Sequence, residues 1–226
     1  MLKRAEIYSP NRVLKMWNSM SFNDARKYAF LTSNKTWLHP ARHFTSDEDL
    51  YEFLIKNRVQ EVHAKALDEN GGREWVIDVD FYDKDEILLL KIEVAKQIFI
   101  NFFGENIKHI MFTGNRGLHV WLRVDRFMMS ADTKLRTNYY GIFAKPTEEI
   151  DYNKIVRGSF IYAVKEAIKL DELKVWIDEH LKNYSLTQKI LYLWPPVDAH
   201  IFCTLNQIRV PYSYHAIGRA YSKQLY

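Results

Sequence analysis

The sequence is poor in the residues that build disulfide-rich, fibrous or membrane-spanning proteins. Cys203 is the only cysteine among 226 residues, which excludes internal disulfides and multi-cysteine zinc sites and favours a reducing compartment. Only 8 glycines and 6 prolines occur, too few for a fibrous or disordered chain. No apolar run approaches the ~20 residues that cross a bilayer, and residues 1–6 lack the apolar stretch of a signal peptide. We therefore expect a soluble protein without a membrane partner.

The composition is that of a globular chain with a slight basic excess. Hydrophobic residues make up 47% and aromatic residues 15% of the sequence, and 32 basic residues outnumber 28 acidic ones. A chain of this length forms one large domain or a domain with a subdomain. The formal charge of +4 is compatible with a nucleic-acid partner without being diagnostic of one.

Hydrophobic periodicity predicts alternating helices and strands. Glycines at 71 and 72 predict a hairpin between the strands at 59–67 and 74–81. Segment 130–158 is the least regular, and the tail from residue 190 predicts short strands and turns. The predicted helices are two within 11–31, then 46–57, 84–103, 159–169 and 171–183, and the other predicted strands are 36–39, 107–112 and 118–124.

Two carboxylates interrupt the apolar strand at 74–81. Side chains alternate faces along a strand, so Asp78 and Asp80 share one face while Ile77 and Val79 share the other. Like charges this close repel each other, and a divalent cation with oxygen ligands relieves the repulsion. The solvent-exposed face of an edge strand would explain the same spacing. The pair alone therefore leaves open whether it binds a metal or only faces solvent.

A small, polar and basic turn joins the next two predicted strands. Gly114 and Gly117 allow backbone amides to approach an anion, and Arg116 offers forked donors to phosphate oxygens. A hairpin turn with a chance arginine explains the glycines equally well. It does not explain His119, a histidine that interrupts the apolar strand directly after the turn.

Two further polar groups lie near the end of the chain. Asp198 follows a pair of prolines that restrict the backbone leading to it. Four side chains able to donate hydrogen bonds then gather around Pro211, which is more typical of an anion site than of a solvated face. They are Arg209, Ser213, His215 and Arg219.

In this order, the four stretches resemble the catalytic (small) subunit of the archaeo-eukaryotic primases, above all its baculoviral members. Residues 74–81 resemble the family's paired-aspartate strand, and residues 112–121 its Ser-Gly-x-x-Gly-x-His-x-Trp element. Residues 196–198 resemble the family's segment with the third metal-site aspartate. Residues 209–215 resemble its segment that binds the incoming nucleotide. Residues 25–30 and 38–44 carry a weaker likeness. The chain departs from the pattern at Thr113 (usually serine), Asn115 (commonly basic) and Arg209 (usually lysine).

The resemblance implies an α+β fold, with a mixed or antiparallel sheet core of the RRM-like catalytic type flanked by helices. It implies a single catalytic domain over residues 1–226, with a loop-rich and helical insertion at about 130–190 and no zinc subdomain. The implied activity is that of a DNA primase, a nucleotidyltransferase that makes short RNA primers from NTPs on single-stranded DNA for viral DNA replication.

The resemblance also assigns cofactors, partners and residues. The cofactor is Mg²⁺ or Mn²⁺, without structural zinc. The implied partners are the DNA template, NTPs, an accessory primase subunit and a replicative helicase and polymerase, in the host nucleus. The implied metal-binding and catalytic residues are Asp78, Asp80 and Asp198; the nucleotide-binding residues are Thr113, Gly114, Arg116, Gly117, His119, Arg209, Ser213 and His215; and the candidate template contacts are Arg26 and Arg42.

Three other functions remain open on the residues alone. A nucleotide-sugar glycosyltransferase also uses a metal-binding Asp-x-Asp, although it does not need the turn with Arg116 and His119. A replication accessory protein can keep a primase fold without activity. A nuclease can use the same two-metal carboxylate chemistry for hydrolysis.

Overall fold

The computed structural model describes residues 7–147 and 149–226. Residues 1–6, on which the expectation about a signal peptide falls, lie outside the described residues. None of the helices in the described part is long and apolar enough to span a membrane. These helices are α1 (Pro10–Ser19), α2 (Asp47–Lys56), α3 (Asp85–Phe103), α4 (Thr133–Tyr140), α5 (Phe160–Ile168), α6 (Asp171–His180), α7 (Leu186–Leu193) and α8 (Ala199–Cys203).

The strands form two four-stranded sheets and a small ribbon, with every pairing antiparallel. The first sheet has the order β2-β1-β3-β7, the second the order β10-β5-β6-β4, and β8 pairs with β9. The predicted α+β class, with antiparallel sheets flanked by helices, is confirmed. The strands are β1 (Tyr28–Thr32), β2 (Trp37–Leu38), β3 (Val59–Ala64), β4 (Val76–Asp80), β5 (Ile107–Phe112), β6 (Gly117–Leu122), β7 (Ile208–Arg209), β8 (Tyr214–His215), β9 (Ala220–Tyr221) and β10 (Lys223–Gln224).

The second sheet separates two hydrophobic clusters. One face carries Ile77 and Val79 of β4 and packs in the cluster of the long helix α3. The other face carries Val76 of β4 and Trp121 of β6, which pack with residues of the first sheet and of α1 and α2. Because faces alternate with period two, Asp78 shares the face of Val76. The paired aspartates therefore point towards the first sheet.

Most of the predicted elements are confirmed. The structure contains α1, α2, α3, α5 and α6, and it joins β5 to β6 through the glycine turn. Ser46 caps α2 by accepting a hydrogen bond from the backbone N–H of Asp49 at 3.2 Å. Helices α4, α7 and α8 are additions to segments predicted as irregular or as short strands.

The second predicted helix within 11–31 is wrong. Helix α1 ends at Ser19 because Met20 is extended, only a short 3₁₀ turn at Asn23–Ala25 follows, and Tyr28–Thr32 forms a strand. This strand pairs with β3 and buries Tyr28, Ala29 and Phe30 in succession. A strand buried on both faces shows an apolar run without alternation, which is hard to distinguish from a buried helix.

The predicted hairpin between β3 and β4 is also wrong. The glycine turn exists, since Leu67 donates its N–H to the Gly72 carbonyl at 2.7 Å, but pairing stops there. Beyond the turn, Glu74 forms a buried ion pair with Arg26 at 2.9 Å. The chain thus leaves β3 in the first sheet and enters β4 in the second.

The expected domain limits and the insertion at about 130–190 stay predictions. In the structure, α5, α6 and α7 pack against α3, and their apolar side chains join the cluster that contains Ile77 and Val79. This segment therefore supports the back of the sheet whose front carries the aspartates.

Replacing Gly117 by alanine should destabilise the protein, because an added Cβ would lie 1.8 Å from the Val79 carbonyl oxygen. Relieving this clash requires β4 or β6 to move, so we expect a loss of about 3 kcal/mol or more in the free energy of unfolding. Urea denaturation measures the loss. Gly141→Ala is the control, since nothing lies within 4 Å of its added Cβ. Equal stability of the two variants would show that β4 and β6 do not approach this closely.

Candidate active site

The paired aspartates lie on β4 opposite the strand that carries the predicted histidine. Asp78 is directly across from His119, whose Nε2 lies 3.3 Å from the Asp78 Oδ1. Burial disfavours the charged form of Asp78, but the charges of His119 and Arg209 outweigh burial, so the pKa of Asp78 falls below its ordinary value. Asp78 is therefore an anion held between basic groups.

Asp80 is paired with the turn rather than with Asp78. The Nε and Nη2 atoms of Arg116 each lie 3.4 Å from the Asp80 Oδ2. The Arg116 carbonyl accepts a hydrogen bond from the backbone N–H of Phe81 at 3.0 Å, which fixes the turn beside the end of β4. A phosphate that binds Arg116 would therefore compete with Asp80 for its donors.

The turn is shaped by close backbone contacts that only glycine permits. Gly114 has φ of +86°, and an added Cβ would approach the Ala220 carbonyl oxygen to 2.7 Å. Gly218 packs even more closely, since an added Cβ there would lie 2.0 Å from the Gly114 carbonyl oxygen. Thr113 is buried, and its hydroxyl oxygen has no hydrogen-bond partner among the described residues.

Asp198 is joined to β4 through the backbone. Its N–H donates to the Asp78 carbonyl at 2.8 Å, and the preceding Val197 forms a bridge with Val79. Its side chain caps α8 by accepting a hydrogen bond from the N–H of Ile201 at 2.9 Å. The predicted third aspartate therefore lies beside the first two, although about 120 residues separate them in sequence.

Arg73 fixes the other end of α8. Its buried guanidinium donates to the carbonyls of Ile201 and Asn206, both at 2.7 Å. Arg73 lies just before β4, so one side chain links the strand of the paired aspartates to the helix that Asp198 begins. A cation at the carbonyl end of a helix is also favoured by the helix dipole.

The three carboxylates suit a divalent cation in chemistry, because hard cations prefer oxygen ligands. In each of the three carboxylates, one of the two oxygen atoms has no hydrogen-bond partner within the part of the chain that the structure describes. In that part, however, no group of three or more His, Cys, Asp or Glu side chains is arranged to hold a metal ion. Binding therefore requires side-chain movement, such as the release of Asp80 from Arg116. Metal binding stays a prediction.

The predicted basic segment faces the aspartates from the first sheet. Arg209 on β7 is opposite His63 on β3, and its Nη1 lies 3.7 Å from the Glu61 Oε2. Burial lowers the pKa of Arg209, while the charges of Glu61, Asp78 and Asp80 oppose that effect. Arg209 thus lies in the electrostatic field of the paired aspartates.

Glu61 organises this side of the site. Its carboxylate accepts a hydrogen bond from the N–H of Ala216 at 2.7 Å and lies 3.0 Å from the His63 Nε2. Burial opposes its charge, but His63, Ala216 and Arg209 together lower the pKa of Glu61 to about 2. We refer to Glu61, His63, Arg209 and His215 as the Glu61 cluster.

His215 is neutral near pH 7. Its Nδ1 accepts hydrogen bonds from the N–H groups of Ile217 and Gly218, both at 3.2 Å. Burial and the charge of Arg209 lower the pKa of His215 to about 4. The Nδ1 atom therefore does not donate to Glu61, 3.7 Å away, and the proton resides on Nε2.

Two of the predicted binding residues are buried in structural roles. Ser213 is fully buried, and its hydroxyl accepts a hydrogen bond from the N–H of Val62 at 2.9 Å and contacts the Tyr8 hydroxyl at 3.1 Å. Ser213 thus ties the basic segment to β3. The expected template contact by Arg26 is corrected in the same way, because its guanidinium is completely buried against Glu74.

Arg42 remains exposed, but it is already paired. It forms a two-pronged salt bridge with Asp49, with both distances at 2.9 Å, and stacks over the Phe44 ring. A template phosphate would have to compete with Asp49 for this guanidinium.

Sequence patterns did not identify four residues that lie at the site: Glu61, His63, Arg73 and Tyr82, whose ring centroid lies 4.4 Å from the Arg116 guanidinium carbon. Glu61 and His63 are two residues apart on one strand, which is the same spacing that placed Asp78 and Asp80 on one face. Arg73 and Tyr82 carry no comparable signal, because each lies in a connection next to β4.

Comparisons with known proteins agree on one family. The family model described as DNA primase small subunit matches residues 77–194, a range that begins in β4 and ends before Asp198. The chain is 40% identical over 221 residues to the DNA primase of Autographa californica nuclear polyhedrosis virus, covering 96% of this chain and 80% of that protein. It is 38% identical to late expression factor 1 of Orgyia pseudotsugata multicapsid polyhedrosis virus, covering 96% and 88%.

Glu61→Gln should reduce stability in a pH-dependent manner. Because the folded state lowers the pKa of Glu61 to about 2, its carboxylate stabilises the fold fully above about pH 4.5 and progressively less as the pH falls towards 2. We expect a gap between wild type and Glu61→Gln of roughly 3 kcal/mol at pH 7. Urea denaturation across this range should record a narrowing gap below about pH 4.5.

The control for this prediction is Glu52→Gln, which changes an exposed carboxylate on α2. It should alter the free energy of unfolding by less than about 0.5 kcal/mol at each pH. A Glu61→Gln gap that stays constant between pH 7 and pH 3 would contradict the charge pairing described here.

Proposed function

We propose, because this chain belongs to the DNA primase small subunit family, that it is the catalytic subunit of a primase that makes short RNA primers on single-stranded DNA. The observation that carries the proposal is the bond from the Asp198 N–H to the Asp78 carbonyl. It joins the backbone of the third aspartate to the strand of the paired aspartates, and the charges of that pair act on Arg209 from the first sheet. Carboxylates on one side and cationic or donor groups on the other suit nucleotidyl transfer from a triphosphate.

In this proposal, Asp78, Asp80 and Asp198 would hold two Mg²⁺ or Mn²⁺ ions. Bound divalent ions supply charge that activates the primer 3′ hydroxyl and stabilises the leaving pyrophosphate. The role of β4 is to present two carboxylates at a fixed spacing, and that of the Pro195 to Asp198 segment is to add the third. The donor types of the three side chains support this assignment.

The triphosphate is bound by the turn and the Glu61 cluster. Arg116, which contacts Asp80 in the structure, would bind phosphate oxygens if a cation offset the charge of Asp80. Arg209 supplies a second guanidinium, and His215 donates from Nε2 as a neutral imidazole. Thr113, whose buried hydroxyl lacks a partner, and the amides at Gly114 and Gly117 complete the phosphate side. His119 orients Asp78 by its contact at 3.3 Å.

Glu61 acts through other groups in this scheme. Its fixed negative charge holds Arg209, and its hydrogen bond from the Ala216 N–H holds the segment of His215, beside the proposed triphosphate position. Ser213 positions the same segment through Val62 and has no direct contact with nucleotide.

The related viral proteins suggest the surroundings in which this chain works. Both come from nuclear polyhedrosis or polyhedrosis viruses, which supports a role in viral DNA replication in the host nucleus. An accessory primase subunit, a helicase and a polymerase are the proposed partners. Purified chain incubated with NTPs and template tests whether it forms the first dinucleotide without an accessory subunit.

Asp78→Asn and Asp80→Asn should each reduce primer synthesis to below about 1% of wild type. Each change removes a negative charge from the proposed cation site while keeping the shape of the side chain. Gel analysis of labelled products, made from ribonucleotides on single-stranded DNA with Mg²⁺ or Mn²⁺, measures the loss. Urea denaturation of the same variants checks that the fold persists.

Asp24→Asn, which changes an exposed aspartate near β1, is the matched control and should keep full activity. Wild-type activity in both site variants would reject the assignment of the aspartates. Template shortening without primers would indicate a nuclease. Absence of both reactions, with an accessory subunit present, would indicate an inactive accessory protein.

A further inference from the structure

Tyr82 presents an aromatic ring to solvent beside the proposed catalytic carboxylates. It follows Asp80 by two residues, and its side chain is 80% exposed. A large aromatic side chain loses favourable burial when it is displayed in this way. Neither the proposed metal site nor the phosphate site uses it.

The exposure of Tyr82 does not come from a loose segment, because both neighbours are anchored. Phe81 is buried and bonded through its N–H to the Arg116 carbonyl at 3.0 Å. Asp83 accepts hydrogen bonds from Lys91 at 2.8 Å and from the Tyr192 hydroxyl at 3.3 Å. The backbone on each side of Tyr82 is therefore fixed while its ring points outwards.

Arg116 covers one face of the ring and leaves the other face open. The guanidinium carbon lies 4.4 Å from the ring centroid, a cation–π distance, while the same side chain contacts Asp80. With 80% of the side chain exposed, the opposite face is available to a flat partner. The ring is thus pre-oriented, which lowers the entropy lost on binding.

We propose that the open face of Tyr82 is a stacking platform for a nucleobase. The inference rests on the proposed primase function and adds a base-binding position to it. Every base has a π-face, so stacking accepts any sequence, as template copying requires. A nucleotide also brings phosphate to Arg116 next to the ring, whereas an apolar protein surface would desolvate Arg116 and Asp80 without replacing their partners.

The base could belong to the single-stranded template or to the incoming nucleotide, since both offer the same chemistry. Two binding assays separate these sources. One measures fluorescence anisotropy of a labelled oligodeoxythymidine in EDTA without nucleotide. The other measures binding of a fluorescent ATP analogue, labelled on the ribose, with Mg²⁺ and without DNA.

Tyr82→Leu should weaken binding about tenfold in at least one assay, because it removes the ring but keeps an apolar side chain. Tyr82→Phe keeps the ring and should bind within about twofold of wild type. If the template supplies the base, an oligonucleotide of abasic spacers should bind wild type and Tyr82→Leu equally.

Salt dependence distinguishes stacking from an indirect effect through Arg116. Stacking releases no counterions, so Tyr82→Leu should keep the wild-type slope of log K against log salt for DNA binding. Arg116→Gln should reduce the slope if the template contacts it. A reduced slope in Tyr82→Leu would overturn the proposal, because the ring would then act only by orienting Arg116.

Phe22→Ala is the matched control. Its ring is 56% exposed, and it adjoins Ser21, which contacts Lys108 near the start of β5, at the opposite end of the strand from the turn. It should bind both ligands like wild type. Wild-type affinity of Tyr82→Leu for both ligands, or an equal loss in Phe22→Ala, would overturn the stacking proposal.

The stacking proposal and the proposed primase function can be rejected independently of each other. Wild-type protein that binds through Tyr82 but makes no primers under any condition would reject the primase activity and leave the stacking site standing. Wild-type protein that makes primers, with Tyr82→Leu unchanged in both binding assays, would reject the stacking site alone.

Discussion

The backbone of β4 is constrained on both of its edges, and the candidate site depends on that constraint. On one edge β4 pairs with β6, and Gly117 allows the two strands to approach more closely than any side chain would permit. On the other edge, the Asp198 N–H bonds to the Asp78 carbonyl. Three carboxylates are therefore positioned by main-chain hydrogen bonds, which hold groups more exactly than flexible side chains do.

The site balances its charges internally. Asp78 faces His119, Asp80 faces Arg116, and Glu61 faces His63 and Arg209. A cation bound to Asp80 would free Arg116, and an anion bound to Arg116 would free Asp80. Under the proposed function, cation and triphosphate therefore favour each other's binding, because each releases the partner that the other needs.

Buried arginines explain how the surrounding connections are held. Arg73 and Arg136 direct their guanidinium groups mainly to backbone carbonyls, and Arg26 combines carbonyls with Glu74. Such bonds satisfy carbonyls at helix ends and turns that the sheets leave unpaired. The presence of an arginine therefore does not by itself indicate a template contact in this chain. Arg26 has a structural role, whereas Arg116 lies at the open side of the site.

The sequence by itself determined the features that depend on local periodicity. Period-two alternation placed Asp78 and Asp80 on one face, 3.6-residue periodicity located α3, and glycine spacing located the turn before His119. The tertiary structure decided which strands pair and which polar groups are buried. Ser213 bonds to Val62 across 151 residues, and Ala216 bonds to Glu61 across 155. No local pattern specifies such partners, because the free energy that selects them arises only when both sheets pack together.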